Sequence, residues 1–286
     1  MQRLASLFLC LLLSFCAGQG KSQYDYYSED QLYEKARSLM IDGRFAQSAE
    51  LYQMLETRFP FGQYAEQSQL EIITAYYQAY DYELAMTAAD RFIRLHPDHP
   101  EVDYAYYYRG LARFDMNRSS LDKFFNIDLS KRDPGLAQES YNDFSELVNK
   151  FPDSRFAADS LGRMRFLRNL MARHEVHVAN YYFKRGAYLA AANRGKYVIE
   201  NFQESPAVSD GLAVMAQAYS LLGMNDLSAQ SLSLLKQNYP GHEAIAENGQ
   251  LNSDFKLEQA EAWRLENTGT RVFSQPNPPA FDNRRS

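Results

Sequence analysis

Cysteine is almost missing from this chain: 286 residues hold two, Cys10 and Cys16. Both lie near the N-terminus, so no internal disulfide can staple a folded domain, and stability must come from packing. No apolar run is long enough to cross a bilayer; the stretch from Leu4 to Cys16 is about a dozen residues behind a single Arg3, the proportions of a signal peptide. Alternation with period two is absent over any useful length, which excludes a sheet. Positive charge is also short, 30 Lys and Arg against 36 Asp and Glu for a net charge of -6. Loss of residues 1–15 with Arg3 takes this to about -7, a poor electrostatic match to nucleic acid.

The usual marks of catalysis are lacking as well. There is no Gly-rich phosphate loop and no G-x-S-x-G. Ser120 to Lys123 spells S-x-x-K, but neither K-T-G nor S-D-N follows, and the match stands alone. His174 and His177 are spaced to share one helix face and a metal, yet no third ligand suggests itself, so no metal is expected. His96 and His99 flank Pro97 in a turn between helices. The chain reads as a protein that is not an enzyme.

What is present begins with Leu13-Ser14-Phe15-Cys16. A bacterial lipobox ends in a small residue and then Cys, and three of these four positions fit it; Phe15 departs. Cleavage before Cys16 would leave that cysteine carrying a diacylglycerol and an N-acyl lipid, the only covalent group expected. Ordinary signal cleavage after Gly18 is the alternative. With Ala17 rather than Asp next, the outer membrane is the destination, and residues 16–27 form a polar tether.

Beyond the tether the punctuation repeats. Gly43, Gly186 and Gly223 are each followed six residues later by Ala49, Ala192 and Ala229, and eleven after that by Pro60, Gln203 and Pro240. An aromatic residue precedes each of the last three. Residues 80–97 and 133–152 fit the frame loosely. The interval of 37 residues from Pro60 to Pro97 and from Gln203 to Pro240 is close to that of tetratricopeptide helix pairs. The expected fold is all-α, a tetratricopeptide-like helical solenoid of about five helix pairs.

Local signals agree with that reading. Ser28 and Gln31 form a capping box ahead of Leu32, Ala36, Leu39 and Met40 on one helix face. Gly43 makes the turn, and Pro60 forbids continuation of the second helix. Asp133-Pro134 and Ser205-Pro206 each read as a cap with Pro at the first helical position. Residues 117–133 are an inserted loop, and Ser154 to Lys184 is one long helix joining an N-terminal half (28–153) to a C-terminal half (154–240). In the extension 241–286, residues 251–267 suggest one more helix around Leu257 and Trp263, followed by a Pro- and Asn-rich disordered tail.

Two surfaces are candidates for binding. Tyr76, Tyr80, Tyr104 and Tyr108 at helical spacing would line a concave groove for an extended peptide; the same rings would equally serve as core between repeats, with hydroxyls reaching solvent. Arg194, beside Asn193 and after Ala190, Ala191 and Ala192, is a long cation in a patch of small residues, either a docking anchor or a solvated side chain.

Arg58-Phe59-Pro60-Phe61-Gly62 with Tyr64, Asp90 to Leu95 with Pro97, His99-Pro100, Asp103-Tyr104, Arg109-Gly110-Leu111, Phe124-Phe125 with Asp128, and Arg132-Asp133-Pro134 together resemble the BamD (ComL) family, over roughly residues 28–240. The resemblance implies a five-repeat adaptor, lipid-anchored at Cys16 on the periplasmic face of the outer membrane. It implies partners as well: a BamA-like β-barrel assembly protein, other lipoproteins of that complex and unfolded outer-membrane protein segments. N-terminal repeats would receive substrate and C-terminal repeats would contact the BamA-like partner. Asn193-Arg194 matches the family's Asn-Arg pair. A soluble periplasmic repeat scaffold for division or cell-wall synthesis is the alternative.

Overall fold

The computed structural model describes residues 23–24, 26–116, 128–252 and 255. Among them are ten α-helices: α1 (Glu29–Ile41), α2 (Phe45–Arg58), α3 (Ala65–Gln78), α4 (Tyr82–Leu95), α5 (Val102–Met116), α6 (Gly135–Lys150), α7 (Ala157–Lys184), α8 (Tyr188–Asn201), α9 (Val208–Leu221) and α10 (Asn225–Asn238). A 3-10 turn, Leu129–Lys131, precedes α6. The described residues therefore form the expected all-α series of five helix pairs. It falls into two compact units, one ending at Ile72 and one starting at Ile73, with the division inside α3.

The turn within a pair is built the same way four times. The Gly43 N–H donates to Met40 O (3.2 Å) and the Arg44 N–H to Leu39 O (2.8 Å). Gly186 with Ala187 and Gly223 with Met224 repeat both bonds. The residue that closes this motif sits in the left-handed region, where glycine has no Cβ to clash; Gly43, Gly186 and Gly223 have φ of 73, 70 and 73°. In the second pair the place is taken by Tyr80 at φ 64°, with the same two bonds from Tyr80 and Asp81 to Tyr77 and Tyr76.

The turn between pairs is equally regular. The second helix ends on a residue whose backbone has left the helical region, Phe59, His96, Phe151, Phe202 or Tyr239. Proline follows in four cases, and the residue before proline is driven from the helical region. Three residues on, Gly62, His99, Ser154, Ser205 and His242 each donate an N–H back to that aromatic or histidine carbonyl, at 2.8 to 3.2 Å. His99 and His242 go further: each Nδ1 accepts the N–H two residues on, Glu101 and Ala244, at 3.1 Å.

The predicted helix starts need small corrections. The capping box is present, with Ser28 Oγ accepting from the Gln31 N–H (3.3 Å) and Gln31 Oε1 from the Ser28 N–H (3.0 Å). Asp133 accepts the Gly135 N–H at 2.8 Å, so α6 begins just after Pro134. Ser205 accepts the Ala207 N–H, and α9 begins at Val208, because residues 203–207 belong to the turn between pairs rather than to the helix. The long helix begins at Ala157, not Ser154, for the same reason. Ile245 and Leu251 form an isolated antiparallel bridge. Cys16, the signal segment, residues 117–127 of the insert and most of 251–267 lie outside the described residues.

In the first unit α1 packs on α2, and the buried Glu71 carboxylate accepts from Tyr33 (2.9 Å) and Tyr52. In the second unit each helix from α4 to α10 packs on the next. The core of its C-terminal part joins Ala172, Val176 and Ala179 of α7 to Ala191, Ala192 and Val198 of α8 and to Leu212, Ala213 and Val214 of α9, closed by Leu235, Ala244 and Phe255.

Candidate functional site

The four tyrosines do not line a groove. Tyr104 and Tyr108 are completely buried and Tyr76 nearly so, while Tyr80, past the end of α3, is 69 % exposed. The cause is the position of α5, which packs on α4 and on α6 and so has no open face for its rings. Tyr104 and Tyr108 lie 4.5 Å apart, Tyr77 meets Tyr108 edge-on at 5.4 Å, and Tyr107 stacks on Phe156 at 4.4 Å. Three of their hydroxyls turn to protein partners, not to solvent: Tyr104 to Thr74, Tyr77 to Asp115, and Tyr107 to Asp159 at 2.8 Å. Burial, and then the charge and hydrogen bond of Asp115, push the Tyr77 phenol above its ordinary value, which keeps it a donor. Tyr80 instead meets Tyr82 edge-on at 6.2 Å and, with Asp81, Glu83, Leu84 and Met116, lines an open hollow of about 300 Å³.

His174 and His177 hold a turn. His174 Nδ1 donates to the Ser130 carbonyl (3.0 Å), and His177 Nε2 lies 3.2 Å from Asp128 Oδ2 and 2.9 Å from Ser130 Oγ. Both therefore pin the 3-10 turn, where the insert returns to the helices, onto the middle of α7. Burial raises the Asp128 carboxyl, but the hydrogen bonds from His177 and from the Ser130 hydroxyl and N–H outweigh it and hold Asp128 well below the usual carboxylate range. No cluster of three metal-ligating side chains occurs among the described residues.

Asn193 and Arg194 lie on α8, Asn193 exposed and Arg194 half-buried. Arg194 Nη1 donates to Glu175 Oε2 of α7 at 3.0 Å, and that bond is the first cause of the raised Arg194 pKa. The guanidinium is thus oriented in advance, with 41 % of its side chain in solvent. The small residues around it have a separate role. A Cβ on Gly195 would stand 2.6 Å from the Gly211 carbonyl oxygen, so α8 and α9 cross backbone to backbone there.

Sequence reasoning missed a network of buried and part-buried arginines. Arg109 on α5 bridges Asp90 of α4 (2.9 Å) and Asp143 (2.9 Å) and Glu146 (2.6 Å) of α6. Arg113 pairs with Asp143 and Glu139. Arg163 of α7, almost wholly buried, pairs with Asp159 at 2.6 Å and lies 4.9 Å over the Phe114 ring. The Arg109-Gly110 and Asp90 of the recognised motifs were the available signal; only the packing shows that they meet.

Comparison with known proteins agrees with these motifs. The YfiO family, described as outer membrane lipoprotein, matches residues 26–234. A Neisseria gonorrhoeae protein named outer membrane protein assembly factor BamD is 41 % identical over 242 residues, 83 % of this chain and 91 % of its own length. Proteins of the same name from Xylella fastidiosa and Vibrio cholerae are 35 % and 32 % identical, covering 81 % and 83 % of this chain and 80 % and 98 % of their own. A tetratricopeptide repeat protein from Parabacteroides merdae overlaps with a TM-score of 0.37 at 14 % identity, over 76 % of this chain and 68 % of its own. The family match takes in all ten described helices but the last few residues of α10, and the chain belongs to the YfiO family of outer membrane lipoproteins.

Proposed function

We propose that this chain is a non-catalytic adaptor, lipid-anchored through Cys16, that assists assembly of β-barrel proteins into the outer membrane. The observation that carries the reading is the 41 % identity to a protein named as an outer membrane protein assembly factor across most of both chains. Asn193 and Arg194 dock a periplasmic part of a BamA-like partner. Arg194, fixed by Glu175 and half in solvent, offers a partner carboxylate a guanidinium whose side-chain entropy is already partly lost. Unfolded barrel segments and other lipoproteins of the complex are further partners.

The test is native purification of the tagged chain from membranes. Co-purification of a BamA-like barrel supports the reading, and its weakening by Arg194→Ala but not by Lys196→Ala assigns the contact. Failure to recover any such barrel overturns it. Labelled palmitate entering the wild type but not Cys16→Ser tests the anchor separately.

A further inference from the structure

The five turns that follow the second helix of each pair share their backbone, but not the residue that follows the proline position. Four of them place Asp98, Asp153, Glu204 or Gly241 there, all exposed. The first turn places Phe61 there, and its ring is 100 % exposed. An aromatic side chain wholly in water gains nothing from folding, and a single one is unremarkable on any surface. Phe61 is not single. Arg58 donates from Nη1 to Tyr24 O (3.0 Å) and from Nη2 to Tyr27 O (2.9 Å), which straps Tyr24 and Tyr27 to the end of α2. The strap carries Tyr26, 78 % exposed, with Tyr24 and Tyr27 edge-on at 5.3 Å. The same guanidinium lies 5.1 Å from the Phe59 ring centre. One cation thus gathers aromatic side chains at one end of the first pair, where the two that stand free of the fold are Tyr26 and Phe61.

This end is also the one nearest the anchor. Seven residues separate Cys16 from Tyr24, and at full extension the eight steps between them span at most about 28 Å. We propose that Phe61 and Tyr26 rest in the headgroup region of the bilayer, so that the first helix pair lies on the lipid surface instead of swinging below it. The proposal rests on the lipid-anchored reading. Its chemistry is interfacial: the amphipathic Tyr ring sits at headgroup level, and an apolar Phe ring enters the boundary of headgroup and acyl chain. A carboxylate in the same place, as in the second, third and fourth turns, would be repelled by anionic lipid. The aromatic residue stands at the one turn that the tether holds near the membrane.

The experiment supplies the tether by hand. A chain starting at residue 17 with an N-terminal polyhistidine tag is held on vesicles of phosphatidylethanolamine and phosphatidylglycerol containing a nickel-chelating lipid. Trp263, the only tryptophan, is replaced in Trp263→Phe/Phe61→Trp, and the control is Trp263→Phe/Ile41→Trp. Ile41 is 84 % exposed and lies at the other end of α1, about 20 Å away along the helix. The expected result is blue-shifted emission at position 61, quenched when the lipid is brominated near the glycerol end of its chains, with position 41 unaffected. Emission at 61 that is the same on brominated and plain lipid overturns the proposal, and so does equal quenching at both positions. Because attachment here does not depend on Cys16, failure of the palmitate test would sink the anchor while leaving this result to be read by itself.

Discussion

Gly195 and Gly211 face each other where α8 crosses α9, and a Cβ on Gly195 would come within 2.6 Å of the Gly211 carbonyl oxygen. The obstacle is backbone, which cannot swing aside as the end of a side chain can. Gly195→Ala should therefore force the helices apart and cost about 1–3 kcal/mol, read as a fall in the urea midpoint with an unchanged slope. The change should also weaken partner binding at Arg194, its neighbour, if the helix crossing positions that guanidinium.

Tyr80 tests the turn. It holds φ 64° where the equivalent residues are Gly43, Gly186 and Gly223, and a side chain in that region costs about 1–2 kcal/mol. Tyr80→Gly should raise stability by up to about 1 kcal/mol, since the lost edge contact with Tyr82 offsets part of the gain and glycine adds entropy to the unfolded chain. Gly223→Val should lower it by more than that. Thermal unfolding of the two variants checks both signs.

Arg109 ties three helices through Asp90, Asp143 and Glu146, and its own side chain is 12 % exposed. Asp90 and Glu146 are partly exposed and Asp143 keeps Arg113, so loss of Arg109 should cost about 1–3 kcal/mol, below the scale of a fully buried pair left unmatched. Arg109→Ala should lose stability by that smaller amount, and Asp143→Asn should cost less in the Arg109→Ala background than in the wild type. A double-mutant cycle in denaturant measures the coupling.

Two carboxylates give opposite pH signatures. Asp128 is held below its ordinary value by His177 and Ser130, so its contribution is complete above about pH 4, the unfolded value, and is lost as pH falls toward the folded one. Asp210 is completely buried, and its carboxyl is raised by that burial despite the hydrogen bond from His242 and the charge of Arg173. The folded state then binds a proton more readily than the unfolded, and this group adds stability as pH falls through its folded value. Asp128→Asn should flatten the acid limb of a stability-pH curve, and Asp210→Asn should steepen it. Amide exchange at residues 129–131 and 242–245 locates the two effects.

Asp210→Ala separates burial from bonding. His242 Nδ1 is occupied by the Ala244 N–H, so its Nε2 is the donor to Asp210 Oδ1 at 3.2 Å. Truncation orphans that buried donor at about 1–3 kcal/mol, whereas Asp210→Asn keeps an acceptor in place and should cost less. Limited proteolysis within residues 240–255 should follow the same order.

Helix pairs were legible because their determinants are local. Glycine at a left-handed turn, proline after an aromatic residue and a capping box act within a few residues, and they placed the turns at 43, 186, 223, 60 and 240 correctly. Even Tyr80 fits the frame once the proline 17 residues later is counted. The site residues were less legible because exposure is a property of neighbours. Tyr104 and Tyr108 have the spacing of a groove, but they lie on a helix packed by its neighbours on both sides, and spacing alone cannot tell an open face from a covered one. His174 and His177 looked like half a metal site, and what they meet is Asp128 and Ser130, more than forty residues earlier in the chain.

By itself, then, the sequence determined the all-α class, the five pairs, the 37-residue spacing of the first and last intervals and the family, all of which rest on short-range backbone chemistry or on motifs read in order. Tertiary structure alone decided which tyrosines are core, why Gly195 must be small, that Arg109 joins three helices, and that Phe61 stands in solvent where three of the other turns carry an acid. Those outcomes depend on which surfaces meet after the pairs pack, and no local interaction energy encodes that meeting.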